Sequence, residues 1–510
     1  MVKQDFYSIR RNCYEKGILF EDPEFPLDNS HLPLFDVPGK PKKVVEWKRP
    51  GEICINPEFF VNNFSRFDVK QGHIGDCWFL AAVTNLTLNP QLFNRVVCRF
   101  NSFVDNYAGI FHFHFWSNDA WESVVIDDRL PTHKNKLLFA KSTDENEFWI
   151  ALLEKAFAKF KGSYKVLVDY GTICEAAEDL TGGISEKFCV KQSTSAVPHC
   201  SYMHICYDDL VKSFMGENFM GCFIRNQRGQ ANEIRTSDQL VRGHAFSITG
   251  VKRFGSGKFG NTEEIRLLRL RNPWGTKCEW TGEWSDNCPK WNGIPNNIKD
   301  ELGFRKLYDG EFWMSYEDFH KNFDVVEICS LSAKTLLKLT EECCQKMRKK
   351  VLAIQKYSEK LDSCIDELCN DPRYILTFTK NSLAIVSIIQ TNTRQLMVNH
   401  SLCKDFLLPM GLIIRKISDD TKNVCLQKEM TKKCLTEVEK FDLIENFYSP
   451  RHTQRIHNIS PGKYVVIPYT KHQNANFFIR IFSEAESHLK MKKLLIFLKF
   501  LKHLCMRKYV

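Results

Sequence analysis

The stretch Gln71-Gly72-His73-Ile74-Gly75-Asp76-Cys77-Trp78-Phe79-Leu80-Ala81-Ala82 constrains this chain more than any other. Its two glycines give way to a helical run that persists towards Asn89-Pro90, which predicts Cys77 on the first turn of a helix. There the unpaired backbone N–H groups and the helix dipole favour a thiolate, the form of cysteine that attacks a carbonyl carbon. The chain has 20 cysteines, and the ordinary role of any one of them is that of a small buried hydrophobe. Only its surroundings single out Cys77.

A nucleophilic cysteine needs a base. His244, in Arg242-Gly243-His244-Ala245-Phe246-Ser247, begins a strand just after a glycine that leaves room beside the imidazole. With 15 histidines present, it is weak evidence by itself. The strand-like runs from Ala245 to Val251 and from Ile265 to Leu270, joined through Gly255, Gly257 and Gly260, predict an antiparallel hairpin. Asn272 ends the second strand in Arg269-Leu270-Arg271-Asn272-Pro273-Trp274-Gly275, so the hairpin brings its amide to the imidazole and Trp274 shields that bond from water. An Asn-Pro pair is otherwise an ordinary turn, and the Cys77 and His244 motifs argue against that reading.

Taken in order, Gln-Gly-x-x-Gly-Asp-Cys-Trp, Gly-His-Ala-Phe-Ser and Arg-Asn-Pro-Trp-Gly resemble the calpain family of intracellular papain-like cysteine proteases. The resemblance is close from about residue 45 to 330, weaker from about 372 to 485, and absent from the tail. It implies an α+β fold: a papain-like two-lobed protease core followed by a divergent C2-like β-sandwich. Cys77 then lies on the first lobe, His244 and Asn272 on the second, and the Gln71 side-chain amide joins the Cys77 backbone N–H in an oxyanion hole.

The same resemblance implies two calcium sites, since hard calcium ions take several oxygen ligands. The first comprises Asp68, Glu147 and the carbonyls of Val61 and Asn63. The second comprises Glu279, Asp286, Asp309, Glu311 and the Leu307 carbonyl. Arg66 and Glu311 match the family's salt-bridge partners between the lobes. Asn63 stands where calpains commonly have glycine. Neither cluster has the spacing of an EF-hand loop, and a solvated acidic surface is the plain alternative. No EF-hand loop follows the sandwich, so neither a penta-EF-hand domain nor a small regulatory subunit is implied.

At about 150 residues per domain, 510 residues predict three or four domains. Residues 1–40, with Pro23, Pro26, Pro33, Pro38 and Gly39, read as an extended lead-in. Lobe 1 is assigned to 41–183, its end set by Gly182-Gly183, and lobe 2 to 184–330. Leu336, Leu339, Cys343, Met347, Val351 and Ile354 recur at spacings of three or four and predict a helical linker over 331–371. Short β-like runs, such as Tyr464 to Ile467 and Phe477 to Phe482, place the sandwich at 372–485. Residues 486–510 read as a basic amphipathic tail, suited equally to an anionic membrane surface or to the protein's own apolar surface.

The formal net charge of +10 is too mild to imply a nucleic-acid partner. Charge follows Met1 at once, so no secretory signal is recognised, and no apolar run reaches the roughly 20 residues of a spanning helix. A cytoplasmic protein with mostly reduced cysteines is expected. The leading reading is a calcium-regulated cysteine endopeptidase acting on protein substrates. The alternative is an inactive adaptor that binds protein or membrane through the sandwich and tail.

Overall fold

The computed structural model of the chain describes residues 4–27, 32–33, 44–117, 120–169, 171–191, 203–226, 233–255, 264–275, 279–331, 355–361, 373–379, 382–390, 410–416, 451–470, 475–483 and 490–494. The chain divides into two compact units, Met1–Leu339 and Thr340–Val510. Among the described residues no helix is long and apolar enough to cross a membrane.

In the first unit, helices interspersed with short strands precede the main sheet. The helix Cys77–Thr87 is buried at all eleven residues. An apolar run without a polar face must be enclosed on every side, and here Ile173–Thr181 and the strands Phe219–Phe223 and Ala245–Phe254 enclose it. Gly182, at φ 71°, closes Ile173–Thr181 in the left-handed conformation, and the chain then enters a seven-stranded sheet. Its order is Glu311–Ser315, Ile265–Arg271, Ala245–Phe254, Phe219–Phe223, Val325–Ser330, Ile184–Cys189 and Met203–His204. The expected hairpin is present, with Ser247 opposite Arg271 and Phe254 opposite Ile265.

Two side chains fasten the buried helix to this sheet. Asn85 Nδ2 donates to the Met220 carbonyl at 3.0 Å, and its Oδ1 accepts from the Met220 N–H at 3.1 Å. Ser247 Oγ donates to the Ala81 carbonyl at 2.9 Å.

The lead-in over residues 1–40 is not extended throughout, because Phe6–Lys16 is a helix. Asp5 caps it by accepting the Ser8 N–H at 2.8 Å, and Gly17 at φ 64° ends it. The prolines counted against a helix begin only at Pro23. Phe6 and Cys13 are buried against Ile110 and Val125, and Lys159 reaches Asp22 at 2.7 Å in the interior.

The second unit holds two four-stranded antiparallel sheets of a C2-like sandwich. One runs Gln355–Leu361, Ala475–Ser483, Ser382–Gln390, Arg451–Ile459. The other runs Met410–Lys416, Gly462–Thr470, Arg373–Phe378, Lys490–Leu494. Burial alternates with the pleat over 374–378, where Tyr374, Leu376 and Phe378 are buried and Ile375 and Thr377 are half-buried.

Two expectations are corrected in this unit. The linker over 331–371 is not helical at Gln355–Leu361, which pairs antiparallel with Ala475–Ser483. The helical spacing of apolar residues stops at Ile354, outside the described residues, and beyond it the backbone completes a sheet. The tail over 486–510 begins as a strand, with Lys490–Leu494 on the sheet edge beside Arg373–Phe378. Lysines on an edge strand discourage further pairing, so its basic character is compatible with sheet. The rest of the tail lies outside the described residues.

Asn85→Ala would leave the Met220 N–H and carbonyl buried without these partners. Each such group costs about 1–3 kcal/mol, so the variant should lose about 2–6 kcal/mol of unfolding free energy, read as a lower denaturant midpoint at unchanged slope.

Candidate active site

Cys77 is the first residue of its helix and is buried, with Asp76 at the N-cap. The preceding loop packs tightly: a Cβ on Gly72 would come within 2.2 Å of the Phe139 carbonyl oxygen. The Gln71 N–H donates to the Pro273 carbonyl at 2.8 Å, joining this loop to the Asn272 turn, and Gln71 Nε2 donates to the Ile74 carbonyl at 2.7 Å.

His244 immediately precedes the strand Ala245–Phe254 and is buried. Gly243 has φ 66°, and a Cβ there would strike the Asn226 side chain at 2.3 Å, so both backbone and space call for glycine. Asn272 follows the partner strand, its N–H bound to the Gly310 carbonyl at 2.8 Å. Its Oδ1 lies 2.8 Å from His244 Nε2 and accepts the Trp274 N–H at 2.9 Å. An acceptor at that position requires Nε2 to carry a proton, which leaves Nδ1 for Cys77. The Trp274 ring packs on the imidazole at 4.7 Å between centroids.

Cys77, His244 and Glu233 bring one donor atom each within 4.8 Å of one another. Glu233 Oε1 is 3.2 Å from His244 Nδ1. Burial alone would lower the His244 pKa. The Cys77 charge and hydrogen bond, joined by Glu233, outweigh it and push the pKa up to about 9. Beneath the site, burial pushes the Asp76 carboxyl up to about 7 beside Glu154, whose own carboxyl is raised by burial and then by Asp76. Repulsion between two buried carboxylates favours a proton held between them.

The sequence pattern had no signal for Glu233 or for the Asp76–Glu154 pair. Glu233 is brought to His244 by a two-residue ladder, Ile234–Arg235 against Val241–Arg242, too short to show a period.

The acidic residues gather in two places. Asp68 accepts from the Ser65 N–H at 2.6 Å, and Glu147 Oε1 accepts from the Val61 N–H at 2.6 Å. Burial first, then Asp68 and Asp144, push Glu147 up to about 7, and burial raises Asp68. Asn63 is left-handed at φ 83°, a conformation asparagine tolerates better than most residues where glycine is usual.

In the second place, burial and mutual repulsion push Glu279 and Asp286 up to about 7 and raise Asp309. The Leu307 N–H donates to Asp286 at 3.0 Å, and the Gly310 N–H donates to Glu279 at 2.5 Å. Clustered carboxylates that repel one another, next to backbone turns, are a donor set suited to a hard divalent cation. Glu311 differs. It takes Arg66 Nε at 2.7 Å and Nη2 at 2.8 Å and the Thr249 hydroxyl at 2.7 Å; although burial opposes ionisation, these partners and Arg269 hold its carboxyl below the usual range.

The profile of the calpain family cysteine protease matches residues 20–330, and that of calpain large subunit domain III matches 361–482. Calpain-B of Drosophila melanogaster is 37% identical over 503 residues, which cover 96% of this chain and 52% of that protein. Calpain-9 of Homo sapiens is 37% identical over 502 residues, covering 95% and 67%. Calpain-8 of Rattus norvegicus is 48% identical over 335 residues, covering 65% and 45%. The chain thus spans about half to two thirds of these relatives' length.

The His244 ring should titrate near pH 9 by NMR, remaining protonated below that value. Cys77→Ser removes the strongest influence raising it and should move the midpoint down. A wild-type midpoint at or below the ordinary value of about 6.5 contradicts the electrostatics described.

Proposed function

Because the chain belongs to the calpain family of cysteine proteases, we propose that it is a calcium-regulated cysteine endopeptidase making limited cuts in protein substrates. The observation that carries this reading is the alignment of a helix-terminal cysteine, a buried imidazole and an amide oxygen 2.8 Å from the ring nitrogen remote from the thiol. Cys77 Sγ attacks the peptide carbonyl carbon and an acyl-enzyme forms as the leaving amine takes the proton from His244 Nδ1. Water then attacks the thioester, giving its proton back through His244. Asn272 holds the ring by its other nitrogen throughout. The Cys77 backbone N–H, unpaired at a helix start, and the second N–H of the Gln71 amide stabilise the oxyanion.

Asp68, Glu147 and the Val61 and Asn63 carbonyls would hold one calcium ion. Glu279, Asp286, Asp309, Glu311 and the Leu307 carbonyl would hold another. Bound calcium would offset the repulsion that adds to burial in raising Glu147, Glu279, Asp286 and Asp309. The Arg66–Glu311 pair joins a residue beside the first cluster to one in the second, so both clusters bear on the same contact.

Cys77→Ser should lower kcat/KM by roughly a thousandfold or more while circular dichroism stays unchanged. Near-normal hydrolysis by the purified variant excludes Cys77 as nucleophile.

The regulatory part is tested by activity against calcium concentration. Asp286→Ala should raise the calcium required and recover at saturation. Glu311→Ala should recover only in part, since it also loses the Arg66 contact. Arg66→Ala should share that incomplete recovery and lose up to about 3 kcal/mol of stability, the low end for a broken buried pair, because Arg269 remains 3.6 Å from Glu311. Wild-type curves for all three variants would mean that the clusters do not control activity.

A further inference from the structure

Glu233 has no part in the reaction just described, yet its carboxylate stands at the reacting pair. It is fixed there. Its backbone is left-handed at φ 61°, and the next two residues pair with Val241–Arg242, which lead through Gly243 into His244. Oxygen, sulfur and nitrogen donors from three residues therefore converge within 4.8 Å, two of them on buried side chains.

We propose that the Cys77 thiolate, His244 Nδ1 and a Glu233 carboxylate oxygen form a binding site for zinc, which holds the nucleophile and the base together and keeps the enzyme off. The donor set is one that zinc accepts: one thiolate, one imidazole and one carboxylate, with a water completing a tetrahedron. Calcium, which prefers oxygen ligands alone, is a poor match to it. The outer partner is also in place. A metal-binding imidazole needs its other N–H held by a carbonyl or carboxylate so that the ligating nitrogen points one way, and Asn272 Oδ1 does this at 2.8 Å from Nε2. The Trp274 ring lies over the imidazole and limits water on that side. Binding displaces the proton from Nδ1 to solvent, so zinc removes the proton that the leaving amine needs and occupies the sulfur lone pair that attacks.

The proposal rests on Cys77 and His244 being the reacting pair, and its test reads binding separately from hydrolysis. Cobalt(II) serves as the spectroscopic probe for zinc, added to the full chain in excess calcium so that the oxygen-only clusters do not compete. The wild type should show a near-ultraviolet thiolate-to-cobalt charge-transfer band and tetrahedral visible bands, both removed by stoichiometric zinc. Cys77→Ser should lose the charge-transfer band. Glu233→Gln should keep it but bind at least roughly tenfold more weakly, since loss of even an outer partner of a metal ligand costs about 10–100-fold. Glu233→Asp, which keeps the charge, should fall between the two. Three results would overturn the proposal: no thiolate band in the wild type, a band that survives Cys77→Ser and so belongs to another thiol, or equal affinity in Glu233→Gln. Hydrolysis measured without zinc reports on the protease reading alone, so a wild type that binds cobalt as described but cuts no peptide would fail that reading and leave the metal site standing.

Discussion

Complete burial of the helix Cys77–Thr87 is the constraint on which the rest of the first unit depends. A helix with no polar face is stable only where other elements surround it, and those elements carry the remaining site residues. The strand it packs against begins beside His244, the partner of that strand ends at Asn272, and Asn85 and Ser247 lock the helix to the sheet by hydrogen bonds. The energy that places Cys77 is therefore the same energy that folds the core. A site assembled this way has little freedom in where its sulfur lies relative to its imidazole.

Buried carboxylates fall into two groups, and the difference is physical. Asp127 meets Lys155 at 2.6 Å, Asp22 meets Lys159 at 2.7 Å and Glu311 meets Arg66 at 2.7 Å. Burial opposes ionisation of Asp127, but Lys155 and Arg129 overcome it and hold the carboxyl down to about 2. A depressed carboxyl stabilises the fold above its unfolded value of about 3.9 and loses that contribution as pH falls towards 2. Glu147, Glu279 and Asp286 instead have carboxylate neighbours and are raised. The first group completes the fold from within the chain. In the second group, like charges face one another, and this is where the proposed calcium sites would lie.

What the sequence made legible was local. Cys77, His244 and Asn272 each sit in a short motif whose glycines and strand ends fix the backbone, and the hairpin joining the last two has the period of a strand. Contacts between distant segments left no such trace: Glu233 reaches His244 through a two-residue ladder, and Lys159 meets Asp22 across 137 positions. The helix Phe6–Lys16 was hidden because the prolines downstream outweighed the Asp5 and Gly17 caps. At Gln355–Leu361 and Lys490–Leu494, periodicity and charge pointed to helix or tail, while sheet pairing with remote strands decided the outcome.

The central claim is that Cys77 differs chemically from the other buried thiols because His244 stands beside it. It is tested most directly by timed iodoacetamide alkylation of the native chain, with each cysteine quantified by mass spectrometry. Cys77 should be modified well ahead of Cys98, Cys174 and Cys13, whose exposures of 8%, 6% and 5% are close to its own 8%, and His244→Ala should erase that lead. A Cys77 no faster than those three, or one whose rate ignores the loss of His244, would contradict the account.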